Sequence, residues 1–260
     1  PGQRLKYEQY FDFLRDNGYF IKISPFFSGS TYSKLNKKGY VLHKLSNVIL
    51  GYIKRIITIF KLPFYDGVYI FLYVAPFGKF LEKIYRLISK KIIYDIDDLT
   101  YSLQPNRPIK SFIENYIIVN LKSKSKYFYL MKSADHIITC TPYLNEIAKK
   151  YNNVTTDISS TINTQLYLPV NKYSNEKKLT IGWTGSVTTG PYLESIANIL
   201  KEIISDCNCK LVVIGADKDI KLDGLEFEHI PWTSKSEVEN LQKIDIGIYP
   251  LQSTSWSLGK

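Results

Sequence analysis

Leu179-Thr180-Ile181-Gly182-Trp183-Thr184-Gly185-Ser186-Val187-Thr188-Thr189-Gly190-Pro191 is the stretch whose reading decides the fold. A short apolar run with β propensity breaks into a Gly/Ser/Thr turn. Pro191 then opens a periodic apolar pattern: Leu193, Ile196, Ala197, Ile199, Leu200, Ile203 and Ile204. Proline suits the first helical position, where its missing N–H would have had no partner. Strand, small-residue turn and helix start together predict backbone N–H groups facing outward at a positive dipole end, a physical site for phosphate. The same stretch also reads as an ordinary strand-to-helix loop of an α/β domain. It matches neither the dinucleotide fingerprint G-x-G-x-x-G nor the P-loop.

The pattern repeats outward from this point. Downstream, the sequence predicts strands over 211–216, 225–230 and 244–249, with helices over 191–205 and 235–242. Upstream it predicts a helix over Tyr7–Asn17 stopped by Gly18, a strand over 19–24 closed by Pro25, and a long amphipathic helix over Tyr40–Lys61. On that helix Val41, Leu45, Val48, Ile49, Tyr52, Ile53, Ile56, Ile57 and Phe60 recur at helical spacing, with Lys44, Lys54, Arg55 and Lys61 on the remaining surface. It reads either as a core-packed helix with a basic solvated face or as one adsorbed to an anionic membrane surface. Strands follow at 68–74, 90–95, 136–140 and 154–158, with helices over 79–89, within 110–132, and from Thr141-Pro142 to Tyr151. Thr141 is the expected N-cap of the last. Strand–helix alternation implies parallel sheets. The polar stretch 169–178 divides the chain into a Rossmann-like domain over 1–168 and another over 179–260. Doubly wound sheets bind ligands beyond the carboxyl ends of their strands, here in a crevice between the domains.

Charge is placed unevenly. The 260 residues carry a net charge of +10, yet residues 1–170 hold 24 Lys/Arg against 12 Asp/Glu, and 171–260 hold 10 against 12. The excess points the first half toward an anionic partner: nucleic acid, anionic lipid or a phosphate-bearing substrate. Three cysteines, Cys140, Cys207 and Cys209, fit a reducing compartment better than a disulfide framework. No second Cys or His pair stands at zinc spacing from Cys207 and Cys209, so no metal is expected. The longest charge-free apolar run, Gly67 to Gly78, is too short to span a bilayer.

Several local motifs, kept in order over most of the chain, resemble bacterial glycosyltransferases of family 4. These are an opening Arg4-Leu5-Lys6, then Tyr94-Asp95-Ile96-Asp97-Asp98, Ser133-Ala134-Asp135-His136-Ile137 with Tyr143-Leu144, Ile181-Gly182-Trp183-Thr184-Gly185-Ser186, Asp245 to Leu251, and Trp256 with Gly259-Lys260. Lys6 stands where the subgroup has a second arginine. The subgroup also has a strand before the opening turn and further elements after Gly-Lys. The chain is therefore expected to be a fragment, lacking its first strand and the end of its second domain, and inactive alone.

The resemblance implies the GT-B fold of two facing Rossmann-like domains and transfer of a sugar, with retention, from a nucleotide-diphosphate sugar to an acceptor hydroxyl. The acceptor would be a surface polysaccharide or lipid-linked glycan. Donor binding would fall to Gly185, Ser186, Gly215, Trp232 and Lys260, with no metal or other cofactor. Arg4 and Lys6 would contact the acceptor or a phosphate. Asp97 and Asp98 are the candidate catalytic residues, one facing the crevice to orient or deprotonate the acceptor hydroxyl and the other structural. The expected setting is cytoplasmic, peripheral on the inner face of the plasma membrane, where the basic half meets anionic lipid. Within the same fold the alternatives are a nucleotide-sugar epimerase or an inactive relative. In another class stands a basic nucleic-acid-binding protein, although no helix-turn-helix, RNP-like or zinc-finger pattern is visible and no nucleic acid is expected.

Overall fold

The computed structural model describes residues 2–32, 41–99, 124–170, 178–222, 224–254 and 257–259. The chain groups into two compact units. One comprises Pro1–Phe13 with Thr161–Ser253, the other Leu14–Ser160 with Thr254–Lys260. This differs from a boundary at 168 that keeps each half to itself. The opening segment is held by chain after residue 160, because Gln9 Nε2 donates to Thr161 Oγ1 at 3.0 Å and the Tyr10 hydroxyl lies 2.6 Å from the same oxygen. The end of the chain packs the other way: a Cβ on Gly259 would approach Leu99 Cγ to 3.0 Å and Leu144 Cδ2 to 3.5 Å. Of the expected 169–178 linker, residues 171–177 lie outside the described residues, as do Trp256 and Lys260 and the part of the 110–132 helical region before 124.

In the unit Leu14–Ser160, four parallel strands pair in chain order: β1 (Val68–Phe71), β2 (Ile92–Ile96), β3 (His136–Thr139) and β4 (Thr155–Asp157). β2 reads Ile-Ile-Tyr-Asp-Ile and is buried at every position but one, as a central parallel strand covered on both faces must be. Helices Phe80–Ile88, Lys124–Ser133 and Pro142–Lys149 connect the strands. The last starts where the sequence placed it, with Thr141 Oγ1 accepting from Leu144 N at 3.3 Å. The core joins Ile70, Ile92, Tyr94 and Ile137 of the sheet to Leu81, Tyr127, Leu130, Met131 and Leu144 of the helices.

Two expectations fail in this unit. Residues 19–24 form no strand. The Ser24 carbonyl and hydroxyl both accept from Arg55 Nη1 at 2.8 Å, so a side chain takes the place of a strand partner. The long helix runs over Val41–Ile59 as expected, but it buries a different face. Gly51 and Arg55 are buried; of the expected apolar set Val48 and Tyr52 are half-buried, Tyr52 against the core, whereas Leu45, Ile49, Ile53, Ile56, Ile57 and Phe60 are exposed. Arg55, read from the sequence as surface, turns inward because backbone acceptors await it there: its Nε donates to Val74 O at 2.7 Å.

The other unit carries a second parallel sheet: β5 (Thr180–Gly185), β6 (Lys210–Gly215), β7 (Phe227–Ile230) and β8 (Ile246–Gly247), in the order β7-β6-β5-β8. Strand order reverses between β5 and β8, the topological switch point of a doubly wound sheet. Ile181, Trp183, Leu211 and Val213 form its core with Leu193 and Leu200. The helix expected over 191–205 is two helices, Gly190–Glu194 and Ala197–Asp206. Ser195 Oγ bonds back to Tyr192 O at 2.7 Å just where the helix breaks, the competition with backbone bonding that makes serine a poor mid-helix residue.

Candidate functional site

The carboxyl edge of the second sheet gathers most of the donor-site candidates. Gly185 ends β5 and Gly215 ends β6, directly opposite each other in the register. Gly215 has φ +82°, a conformation that L side chains rarely adopt. A Cβ there would overlap the Gly185 carbonyl oxygen and lie 3.6 Å from Trp232 Cβ. A Cβ on Gly185 would drive into the ring of buried Trp183. Both glycines are thus demanded by close packing, and the result is a side-chain-free backbone step beside Trp232, which is 36% exposed. His229 Nε2 donates to Gly215 O at 2.8 Å and holds the step from below the turn.

Ser186 adjoins this step but is less open than the sequence implied. Its N–H donates to Thr189 Oγ1 at 2.9 Å, and the N–H groups of Thr189 and Gly190 both bond Ser186 O, at 2.9 and 3.1 Å. The turn closes on itself, so these three amides already have partners. The helix that follows, Gly190–Glu194, has 5 residues and contributes little dipole.

Glu237 was not anticipated. Its carboxylate collects the Arg4 guanidinium, the Tyr167 hydroxyl at 2.9 Å and, on its other oxygen, the Trp232 indole N–H at 3.3 Å. Arg4 also donates to the Tyr167 hydroxyl at 3.2 Å. Burial works against the Arg4 charge, but the bonds to Glu237 and Tyr167 outweigh it and raise its pKa. Burial and the Glu237 carboxylate together push the Tyr167 phenol up. Arg4, expected in the first domain as a contact to the acceptor or a phosphate, therefore belongs to the same unit as Trp232, and Lys6 lies with it in the helix Gly2–Lys6. Contacts spanning 163 and 233 positions leave no local sequence signal. The sequence predicts only a helix over 235–242 there, with no role for Glu237.

In the other unit, Asp97 and Asp98 follow directly on β2, at its carboxyl end, both half-buried. Cys140 Sγ donates to the Asp97 carbonyl at 3.1 Å and fixes the turn. Asp95 is the fully buried carboxylate of this motif and accepts from the Tyr69 hydroxyl. Two other aspartates of the motifs pin strand register. Asp135 accepts from Ile92 N at 2.7 Å and from Arg86 at 2.6 Å, and Asp245 accepts from Thr180 N at 2.8 Å. Each sits one step before its own strand and takes the first N–H of the neighbouring one. Those matches are architectural.

A cavity of about 310 Å³ lies along β5 and β8, lined by Thr184, Leu241, Ile244, Asp245 and Tyr249 among others. None of the donor-site candidates lines it. Among the described residues no group of three His, Cys, Asp or Glu side chains stands where it could hold a metal ion, and no helix is long and apolar enough to cross a membrane.

No protein-family model matches the sequence, and no curated protein matches it significantly. Solved structures do match. The crystal structure of TarM superposes with a TM-score of 0.50 at 11% identity, covering 75% of this chain and 39% of TarM. A variant of S. aureus TarM in complex with fondaparinux, alpha-GlcNAc-glycerol and UDP gives a TM-score of 0.44 at 10% identity, with the same coverages. The chain thus spans about two fifths of TarM's length. The first match, with two parallel Rossmann-like sheets independently evident in the strand orders, shows the fold to be of the GT-B type.

Proposed function

We propose that this chain is part of a retaining glycosyltransferase, moving a sugar from a nucleotide-diphosphate sugar to an acceptor hydroxyl in the synthesis of a bacterial surface polysaccharide or lipid-linked glycan. The observation that carries this reading is the bare glycine step Gly185–Gly215 beside half-exposed Trp232, at the carboxyl edge of a doubly wound sheet. A nucleotide approaching that edge meets backbone at close range and an aromatic face for its base. Doubly wound sheets take their ligands beyond the carboxyl ends of the strands, where this step lies.

The chemistry asked of the site is stabilisation of a departing diphosphate as its negative charge grows. Without a metal, that role falls to cations and to N–H or O–H donors. Arg4 and the Ser186 hydroxyl are the proposed contributors, with Lys6 as a further anion contact. An incoming phosphate would compete with the Glu237 carboxylate for Arg4 and Tyr167. On the acceptor side, Asp97 or Asp98 would orient or deprotonate the hydroxyl.

The exposed apolar residues Leu45, Ile49, Ile53 and Ile56 share the helix Val41–Ile59 with Lys44 and Lys54. That combination supports adsorption to the anionic inner face of the plasma membrane, where lipid-linked acceptors reside. A transfer assay on the intact protein, with Asp97→Asn and Asp98→Asn variants, tests the catalytic assignment. One variant is expected to lose transfer with nucleotide binding retained; full activity in both would refute it.

A further inference from the structure

Three charged side chains from three helices are buried together under one loop. Arg55, from Val41–Ile59, is 9% exposed; Glu82, from Phe80–Ile88, and Lys126, from Lys124–Ser133, are both at 0%. Each of the three bonds the backbone that leaves β1, Arg55 in addition to its Nη1 bonds to Ser24. Arg55 Nε donates to Val74 O at 2.7 Å. Glu82 Oε1 accepts from Val74 N at 3.2 Å and Ala75 N at 3.3 Å. Lys126 Nζ donates to Ala75 O at 2.6 Å and Pro76 O at 2.5 Å, and also lies 4.7 Å from the centre of the Tyr73 ring. Tyr52 completes the set: its hydroxyl accepts from Phe77 N at 3.0 Å.

Burying three ionisable groups is costly, and well-packed apolar residues would do better for stability alone. Burial holds Lys126 down to about 8, against the pull of Glu82, and pushes Glu82 up despite Lys126 and the amides of Val74 and Ala75. Apart from the Arg55 bonds to Ser24, the bonds of the cluster fall on one path, residues 74–77. That path starts at the carboxyl end of β1, whose last residue, Phe71, pairs with Asp95. Asp97 and Asp98 leave the adjacent strand at the same end. The clamped segment then ends in an exposed tip, Phe77 and Gly78, with Gly78 at φ +65°.

We infer that Arg55, Glu82 and Lys126 are positioning residues, clamping the Val74–Phe77 backbone into one fixed wall of the acceptor side beside Asp97 and Asp98, with Phe77 presented at its tip. This rests on the proposed function only in calling that side the acceptor side; the clamp itself is independent of it. A side-chain clamp on consecutive backbone groups removes the freedom a loop of this kind ordinarily has, and holds a contact surface in place before the ligand arrives.

Amide hydrogen exchange on the intact protein tests the clamp without any activity. Val74, Ala75 and Phe77 are expected to be protected. Protection should fall by at least about tenfold in 73–78 for Glu82→Met and Lys126→Met, which remove the acceptor and the donor, with β2 and β3 unchanged, as for a local opening. Tyr52→Phe, which removes a single hydroxyl, should release the Phe77 amide alone and guards against variants that fold poorly. In the transfer assay Phe77→Ala should raise the acceptor KM by about tenfold or more while leaving the donor KM unchanged. Protection retained at Val74, Ala75 and Phe77 in both the Glu82 and the Lys126 variant would overturn the clamp. A wild-type acceptor KM in Phe77→Ala would overturn the role given to the wall. Absence of transfer by the wild type refutes the glycosyltransferase reading instead, and the exchange pattern then decides the clamp by itself.

Discussion

Substituting Gly215 by alanine probes the geometry on which the donor site depends. The residue sits at φ +82°, where a non-glycine residue costs about 1–3 kcal/mol in backbone strain. The added Cβ also overlaps the Gly185 carbonyl oxygen, the acceptor of the 2.9 Å bond from Ala216 N that closes the β5–β6 edge. Backbone cannot yield as a flexible side chain does, so the strand ends must part. Losing that bond with its groups half-buried adds about 1–2 kcal/mol. The total, about 2–5 kcal/mol, falls among the large effects reserved for core or special-backbone positions. Equilibrium urea unfolding measures it directly. Gly247→Ala is the internal control, because a Cβ at that strand position meets nothing within 4 Å; its change should stay within about 0.5 kcal/mol. A Gly215→Ala protein destabilised by less than about 1 kcal/mol would refute the reasoning, since neither the strain nor the clash could then be real.

Lys126 gives a pH dependence of definite sign. Its pKa is about 8 in the folded chain against an ordinary 10.5, so between those values the unfolded chain binds more protons and the Lys126 contribution to stability rises with pH. A neutral amine keeps two N–H donors, enough for Ala75 O and Pro76 O. Measured between pH 7 and 10, wild type should gain stability relative to Lys126→Met; a constant or falling difference would contradict the burial of this charge. At Thr141, replacement by alanine removes the hydroxyl that caps the helix Pro142–Lys149 and should cost about 1 kcal/mol in thermal or urea unfolding.

How much of this was legible in the sequence depends on how local the cause is. The Thr141-Pro142 helix start, the stop at Gly18 (φ +85°) and the strand–turn–helix around Gly185 are written in adjacent residues, and they stand where the sequence put them. The missing strand at 19–24 and the inward turn of Arg55 have one cause, a guanidinium that finds Ser24 and Val74 carbonyls across 31 and 19 positions. A hydropathy pattern counts arginine as surface and cannot register such acceptors. The same blindness hid Lys126 and Glu82, and it hid Glu237, whose partners come from the opening helix and from Tyr167. The motif aspartates Asp135 and Asp245 are recognisable in the sequence, but their role is not: their carboxylates pin neighbouring strands.

The central claim is a nucleotide site at the glycine edge of the second sheet. Thermal unfolding of the intact protein, scanned against UDP, GDP, CDP, ADP and dTDP, tests it most directly. The account predicts that one nucleotide raises the midpoint selectively, with stabilisation of about 2.7 kcal/mol at a hundredfold excess over Kd, and that Trp232→Ala, at an exposed position, loses most of that response while unfolding like wild type without ligand. No response to any of the five would contradict it.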